Sequence, residues 1–201
     1  IRVYQSIHNQ NPVMKFLSKV NLEQFDDLCD QMLFNTALPT DFESSKSSFV
    51  LEPGDSDSAV METSIGQGKT LVTPFHMALI ASAIANDGVL MKPYVIDRIT
   101  DAEGEVVEQY EPAEYKTLLS ESDASVLQEY MRYVVEEGTA TKLKSDSYEA
   151  AGKTGSAEFS SSSDATHSWF VGYAHNGEEP DIAVAVIVEN SGVGSEYAVP
   201  I

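Results

Sequence analysis

The sequence predicts a mixed α/β domain in which an antiparallel sheet packs with helices. Residues 74–85 are apolar on nearly every side, which is typical of a helix buried in the centre of a domain. A second, amphipathic helix is expected after Ser120, where one face carries Val, Leu, Tyr and Met. The last third of the chain consists of β-rich runs with short polar links, and short links favour antiparallel neighbours.

The first third of the chain contains two helix signals followed by an irregular stretch. Asn11, followed by proline, predicts a short helix over 12–20. Asn21 can cap a second helix, about 22–33, with apolar residues on one face. Residues 35–70 are rich in Pro, Gly and Ser, and we expect a long irregular connection there.

The two main helices have recognisable ends. Thr73 is the expected cap of the apolar helix, and Asn86-Asp87-Gly88 supplies a left-handed stop. Ser120 with Asp123 resembles a capping box at the start of the amphipathic helix, and Gly138 ends it. Strands are predicted at 94–100 and 106–110 as a hairpin, and at 148–159, 167–174 and 181–189 as a meander. The unbroken apolar run 182–188 is typical of a strand covered on both faces.

Composition excludes several classes of function. The 201 residues include 12 Lys and Arg against 32 Asp and Glu, a net charge of −20. Such a balance argues against nucleic acid as a partner and against unaided docking on an anionic membrane. One cysteine cannot form an internal disulfide framework, and no apolar run of bilayer length occurs. Because the chain opens with Ile1, we expect it to be a piece of a longer protein.

The segment Lys153-Thr154-Gly155-Ser156 is the strongest candidate for chemistry. A lysine on a strand, beside two hydroxyls and a glycine, can bind an oxyanion or a carboxylate. Lys153 supplies positive charge, Thr154 a donor, and Gly155 lets a ligand approach the strand edge. A K-T-G triplet alone is weak evidence, since it also occurs by chance on ordinary strands.

The order of the flanking segments makes the signal specific. From about residue 5 to residue 201, the chain resembles the transpeptidase domain of penicillin-binding proteins, especially the class B, monofunctional type. The resemblance rests on I-G-Q-G at 65–68, V-T-P at 72–74, A-I-A-N-D-G-V-L-M-K-P at 83–93, A-G-K-T-G-S-A-E at 151–158 and H-S-W-F-V-G-Y-A at 167–174.

This resemblance implies a fold and a reaction. The fold would be that of serine β-lactamases and transpeptidases, incomplete at its N-terminus. The longer protein would cross-link peptidoglycan stem peptides through a serine acyl-enzyme and would bind β-lactams covalently. It would act without a cofactor or a metal, on the extracytoplasmic face of the bacterial membrane, held by an N-terminal helix that this chain lacks. The resemblance also allows a glycosyltransferase of wall synthesis as a partner. The longer protein would then take part in cell division or in the control of cell shape.

The family has three motifs, which are S-x-x-K, S-x-N and K-T-G in chain order. Carried over to this chain, the resemblance gives roles to the third motif, K-T-G. Lys153 would bind the substrate carboxylate and polarise the site, and Thr154 would donate to that carboxylate. Gly155 would keep the strand edge open. Ser156 would supply a backbone N–H to the oxyanion hole and a hydroxyl to the ligand. An edge strand suits these roles, because an extended peptide can pair with it.

The nucleophile of the family is missing from this chain. The family needs a serine three residues before a lysine, and no lysine here has one. Thr139 precedes Lys142 and Thr141 precedes Lys144 at that spacing, but they lie next to the third motif, so a polar turn is the better interpretation. We therefore expect the isolated chain to be inactive.

The second motif also departs from the family. Asn9-Gln10-Asn11 lies where the family has S-x-N, so Asn11 would contact the substrate amide and Asn9 would replace a proton-relaying serine. An amide can hydrogen-bond but relays protons poorly. Equally, Asn11 can be simply a helix cap. These departures leave open a catalytically inactive homologue that acts as a cell-wall scaffold or regulator. A β-lactam sensor or a serine β-lactamase is a second alternative, because both share the fold and a K-T-G-like triplet.

Overall fold

The computed structural model describes four stretches of the chain, residues 21–52, 54–158, 166–177 and 182–201. The helix predicted over 12–20 lies outside the described residues. Contacts divide the chain into two units, which are residues 1–36 with 46–72 and residues 37–45 with 73–201.

The described part of the first unit contains two helices, α1 (Leu22–Gln31) and α2 (Asp57–Ser64). Asn21 caps α1 as predicted, because its side-chain oxygen accepts the N–H of Glu23 at 3.0 Å. The helix ends earlier than the sequence predicts because Leu33 (φ 70°) and Asn35 (φ 59°) take left-handed conformations just beyond it.

An aromatic cluster packs beside α1. The ring of Phe49 lies edge-on to Phe25 at 5.2 Å and to Phe34 at 6.1 Å between centroids. The Asn35 side chain bonds both backbone groups of Phe49, donating to its carbonyl at 2.9 Å and accepting from its N–H at 3.0 Å. A side-chain amide thus replaces a strand partner and holds Phe49 in the cluster.

The predicted irregular connection over 35–70 needs a correction, because it contains the whole of α2. Ser56 starts this helix by accepting the N–H of Ala59 at 3.2 Å. Ser48 also forms an isolated antiparallel bridge with Leu71. The high content of Pro, Gly and Ser concealed a helix of only eight residues.

Cys29 lies on the buried face of α1. Burial raises the pKa of its thiol to about 11 from 9.0, and the carboxylates of Asp26 and Asp30 add to the shift. The thiol is therefore held in its neutral form and packs as a small apolar residue.

The second unit contains the remaining elements. In chain order they are α3 (Pro74–Ala85), β1 (Val89–Met91), β2 (Arg98–Thr100), β3 (Val106–Gln109), β4 (Glu114–Thr117), α4 (Glu121–Glu136), a 3₁₀ turn (Thr141–Leu143), β5 (Glu149–Glu158), β6 (Thr166–His175), β7 (Ile182–Val188) and α5 (Gly194–Tyr197).

Helix α3 is covered on all sides but not fully buried, since five of its twelve residues are buried and most of the others are half-buried. No residue from 75 to 85 is exposed, and the Thr73 hydroxyl accepts the N–H of His76 at 3.1 Å. The chain turns sharply after α3 at Gly88, where φ is +91° and an added Cβ would lie 2.3 Å from the Leu119 carbonyl oxygen. Glycine is required there, because the segment leading into α4 passes directly against its backbone.

Two small antiparallel sheets follow α3. Strands β2 and β3 form the predicted hairpin, although both are shorter than the runs 94–100 and 106–110. The sequence did not predict the pairing of β1 with β4, because these strands have three and four residues and are far apart in the chain.

The main sheet is the predicted antiparallel meander, in the order β5-β6-β7. Helix α3 packs against β6 and β7, and helix α4 packs against β5. Strand β7 is less covered than predicted, since Ile182 is exposed and its other six residues are half-buried. Within the described residues, β7 pairs with β6 alone, and an outer strand keeps part of its surface open.

Phe170 of β6 is the centre of the core cluster beside α4. The buried residues around it are Val135, Ala140, Ala198 and Val199. Its cross-strand neighbours are Thr154 on β5 and Val186 on β7. One aromatic ring therefore joins the sheet, the end of α4 and the C-terminal segment.

No helix in the described stretches is long and apolar enough to cross a bilayer.

Replacing Phe170 with alanine should lower the free energy of unfolding by about 3–5 kcal/mol, because it leaves a cavity that three elements line. Urea unfolding followed by far-UV circular dichroism measures this change. Val107→Ala is the matched control, since Val107 is 68% exposed and should cost less than about 0.5 kcal/mol. Equal losses for the two variants would contradict the described core.

Alkylation of Cys29 should show a pH profile displaced to high pH. A thiol with a pKa near 11 carries about 100-fold less thiolate at pH 8 than one at 9.0. We expect the rate of reaction with iodoacetamide to rise until about pH 11 in the native chain. In urea the inflection should return to the ordinary value, and an unshifted native profile would contradict the burial of Cys29.

Candidate functional site

The predicted K-T-G segment lies in the middle of β5, at a free edge of the main sheet. Lys153, Thr154 and Gly155 pair in register with Val171, Phe170 and Trp169 on β6. In the described part of the chain, β6 is the only strand beside β5. Alternate N–H and C=O groups of β5 thus point away from the sheet, where an extended ligand can bind them.

Lys153 is exposed, and its ammonium group folds back over the strand. Its Nζ donates to the carbonyl oxygen of Thr154 at 2.6 Å. This bond holds the ammonium group beside Thr154, at the exposed surface of the strand. The charge therefore lies where it can attract an anionic ligand to the edge of β5.

The Thr154 hydroxyl contacts a residue from outside the sheet. Its Oγ1 lies 2.6 Å from Oγ1 of Thr139, in the turn that follows α4. The sequence predicted only a polar turn at Thr139. The spacing of the pair, 15 residues apart, gives no helical or strand periodicity that could have revealed the contact.

Ser156 bonds the C-terminal segment. Its Oγ accepts the N–H of Gly194 at 3.2 Å, so its hydroxyl oxygen is already engaged within the fold. An added Cβ on Gly194 would lie 2.4 Å from the carbonyl oxygen of Gly155 and 2.5 Å from that of Trp169. Residue 194 thus supports the K-T-G strand by direct contact between backbones.

The loop before Gly194 is tied to β6 by hydroxyl groups. Thr166 and the fully buried Ser168 both donate to the carbonyl oxygen of Gly192, at 2.7 and 2.6 Å. Ser191 lies 2.9 Å from Ser168 and adds a third hydroxyl. Sequence reasoning missed this network, and its only signal was the G-x-G spacing at 192–194.

Only part of the predicted constellation can be located. The structure brings Lys153, Thr154, Gly155 and Ser156 together on β5, whereas Asn9 and Asn11 lie outside the described residues. Among the described residues, no group of three or more His, Cys, Asp or Glu is placed to hold a metal ion.

Comparison with known proteins decides the family. The chain matches the family model described as the penicillin binding protein transpeptidase domain over residues 7–201. The chain belongs to the transpeptidase family of penicillin-binding proteins. It is 32% identical to the peptidoglycan D,D-transpeptidase PbpA of Mycolicibacterium smegmatis over 146 residues, which are 69% of this chain and 29% of that protein. It is 30% identical to penicillin-binding protein 3 of Bacillus subtilis over 174 residues, 83% of this chain and 25% of that protein.

Solved structures show the same fold. An imipenem acyl-enzyme complex of penicillin-binding protein A from M. tuberculosis has a TM-score of 0.74 and 26% identity, covering 86% of this chain and 38% of that one. The D,D-transpeptidase domain of a peptidoglycan glycosyltransferase from Eggerthella lenta has a TM-score of 0.71 and 26% identity, covering 89% and 45%. The predicted fold class and family resemblance are both confirmed. The chain spans between a quarter and a third of the length of the two curated relatives.

A groove elsewhere in this transpeptidase chain contains none of the predicted site residues. It has a volume of about 360 Å³ and lies between α4 and the neighbouring ends of β5 and β6. Three of its charged or titratable groups have partners: Arg132 pairs with Glu136 at 3.5 Å, and His175 lies 3.7 Å from Glu149. Burial raises the pKa of Tyr173 in its wall, so that phenol stays neutral. The open edge of β5 remains the better site for chemistry.

Gly194→Ala should distort the K-T-G strand, because the new methyl group would overlap the backbone of Gly155. We expect a loss of about 1–3 kcal/mol in the free energy of unfolding, measured in urea. Gly177→Ala is the control, because nothing lies within 4 Å of its added Cβ. If the two variants are equally stable, the described contact between residues 194 and 155 is wrong.

Proposed function

We propose that residues 1–201 are part of one transpeptidase domain, and that the longer protein cross-links peptidoglycan stem peptides and binds β-lactams covalently. One observation carries the proposal: in a chain of this family, Lys153, Thr154 and Gly155 lie together on the free edge of β5. The related proteins include peptidoglycan D,D-transpeptidases, which supports the same reaction class.

The reaction would proceed through an acyl-enzyme. A serine outside this chain attacks the carbonyl carbon between two terminal D-Ala residues and gives up its proton to a base. The tetrahedral intermediate collapses, the C–N bond breaks, and the last D-Ala leaves with a proton on its amine. An amine of a second stem then attacks the ester, forms the new amide and releases the serine. A β-lactam is opened by the same attack but keeps its leaving nitrogen attached.

The residues of β5 would bind and orient the donor peptide. The Lys153 ammonium and the Thr154 hydroxyl would bind the terminal carboxylate, since charge-assisted hydrogen bonds of this kind are the strong ones. Gly155 and the backbone N–H of Ser156 would lie against the scissile carbonyl. We also propose that Asn11 contacts the peptide amide, with Asn9 in the place of the family's serine.

The proposed reaction implies a location and partners. Stem peptides lie outside the cytoplasm, so we propose that the longer protein is anchored at the extracytoplasmic face of the membrane by a helix preceding this chain. A glycosyltransferase of wall synthesis would be its working partner, because cross-linking consumes newly made glycan strands.

A second candidate function is that of a catalytically inactive scaffold or regulator of wall synthesis. Two sequence observations favour it: Asn9 stands where the family has a serine, and the 201 residues contain no S-x-x-K. An inactive homologue would keep the fold and the K-T-G strand without forming an acyl-enzyme.

Intact-mass spectrometry after incubation with benzylpenicillin separates the two functions. A protein extended upstream of residue 1 to include the whole domain should gain the mass of one drug molecule, whereas this chain alone should gain none. In the extended protein, Lys153→Ala should lower the acylation rate by about 100- to 1,000-fold, as expected when one preorganised electrostatic group is removed. Lys144→Ala, at an exposed lysine outside β5, should leave the rate unchanged.

The absence of an adduct on the extended protein would reject the transpeptidase and favour the scaffold. Equal acylation of the Lys153 and Lys144 variants would leave the enzyme intact but reject the role given to Lys153.

A further inference from the structure

The contact between Thr139 and Thr154 has a chemical consequence. We infer that Thr139 is a positioning residue that directs the proton of the Thr154 hydroxyl toward the carboxylate of the bound ligand, an inference that rests on the proposed role of Thr154. Thr139 itself does not touch the ligand in this account.

Two hydroxyl oxygens 2.6 Å apart form one hydrogen bond, and only one proton can lie between them. Each threonine has a single O–H to donate, so only one of the two can donate across this contact. If Thr154 donates to Thr139, it has no proton left for a ligand. If Thr139 donates to Thr154, the proton of Thr154 is free to point elsewhere.

A carboxylate decides between these two arrangements. It only accepts hydrogen bonds, so a ligand carboxylate near Thr154 selects the state in which Thr154 donates to it. Thr139 then donates to Thr154, and the chain of hydroxyls polarises in one direction. The Thr154 oxygen is thereby satisfied and its rotation about Cβ–Oγ1 is restrained.

Hydrogen bonds of the next residue restrain the backbone around Thr139, as a positioning role requires. The next residue, Ala140, is fully buried and donates its N–H to the carbonyl of Val134 in α4 at 3.0 Å. The carbonyl of Ala140 in turn accepts the N–H of Leu143 at 3.0 Å. Thr139 is thus fixed between the end of α4 and the following turn, and α4 itself packs against β5.

The test compares two substitutions and two ligands in the extended protein. Thr139→Val keeps the shape of the side chain but removes its hydroxyl, whereas Thr139→Ser keeps the hydroxyl. Acylation by benzylpenicillin should slow about 5- to 10-fold in Thr139→Val, and Thr139→Ser should restore the rate. The methyl ester of benzylpenicillin has no free carboxylate, so its rate should change less than about twofold in both variants.

A loss that is the same for the acid and the ester, or that Thr139→Ser does not restore, would overturn the inference, because a general disturbance of the fold would act on both ligands.

An unfolding cycle on this chain keeps the inference separate from the proposed function. Thr139→Val, Thr154→Val and the double variant are compared in urea. If the hydroxyls are bonded, the double variant should lose less free energy of unfolding than the sum of the two single variants, because each substitution alone already breaks the bond. Additive losses would overturn the inference whatever the acylation result, whereas the absence of an adduct on the unsubstituted extended protein would overturn the proposed function.

Discussion

The open edge of β5 is the constraint on which the rest of the candidate site depends. A strand that pairs on one side only has unpaired backbone N–H and C=O groups along its other side. Those groups can bind a ligand, but they can also pair with another chain in an unwanted contact. It can serve as a site only if it stays in register and does not bend. Its ten paired positions with β6 provide the register, and the core around Phe170 holds the sheet against α4.

Support for β5 comes from two further directions, and neither involves another strand. On one side, the turn after α4 brings Thr139 against Thr154. On the other, the C-terminal segment places Gly194 against the backbone of Gly155, with Ser156 accepting its N–H. The hydroxyls of Thr166 and Ser168 hold the preceding loop in position. Polar contacts and close backbone contacts thus restrain the position of β5, as a second neighbouring strand restrains a strand inside a sheet.

Much of this arrangement could be predicted because its signals are local. Thr73 and Ser120 mark helix starts, the apolar run of α3 marks burial, and the K-T-G triplet in its ordered context marks the family. The contacts that support the site could not be predicted, since Thr139 and Gly194 reach β5 only through tertiary folding. The β1–β4 pair and the helix inside 35–70 were missed for a related reason: elements of three to eight residues carry too few positions to show a period.

A crystal structure of the extended protein acylated by benzylpenicillin would show whether the free edge of β5 receives the ligand. We expect the ligand to lie along β5 as an added strand, with its carboxylate about 3 Å from the Thr154 hydroxyl. A ligand bound away from β5, or a β5 edge covered by another strand of the protein, would contradict it.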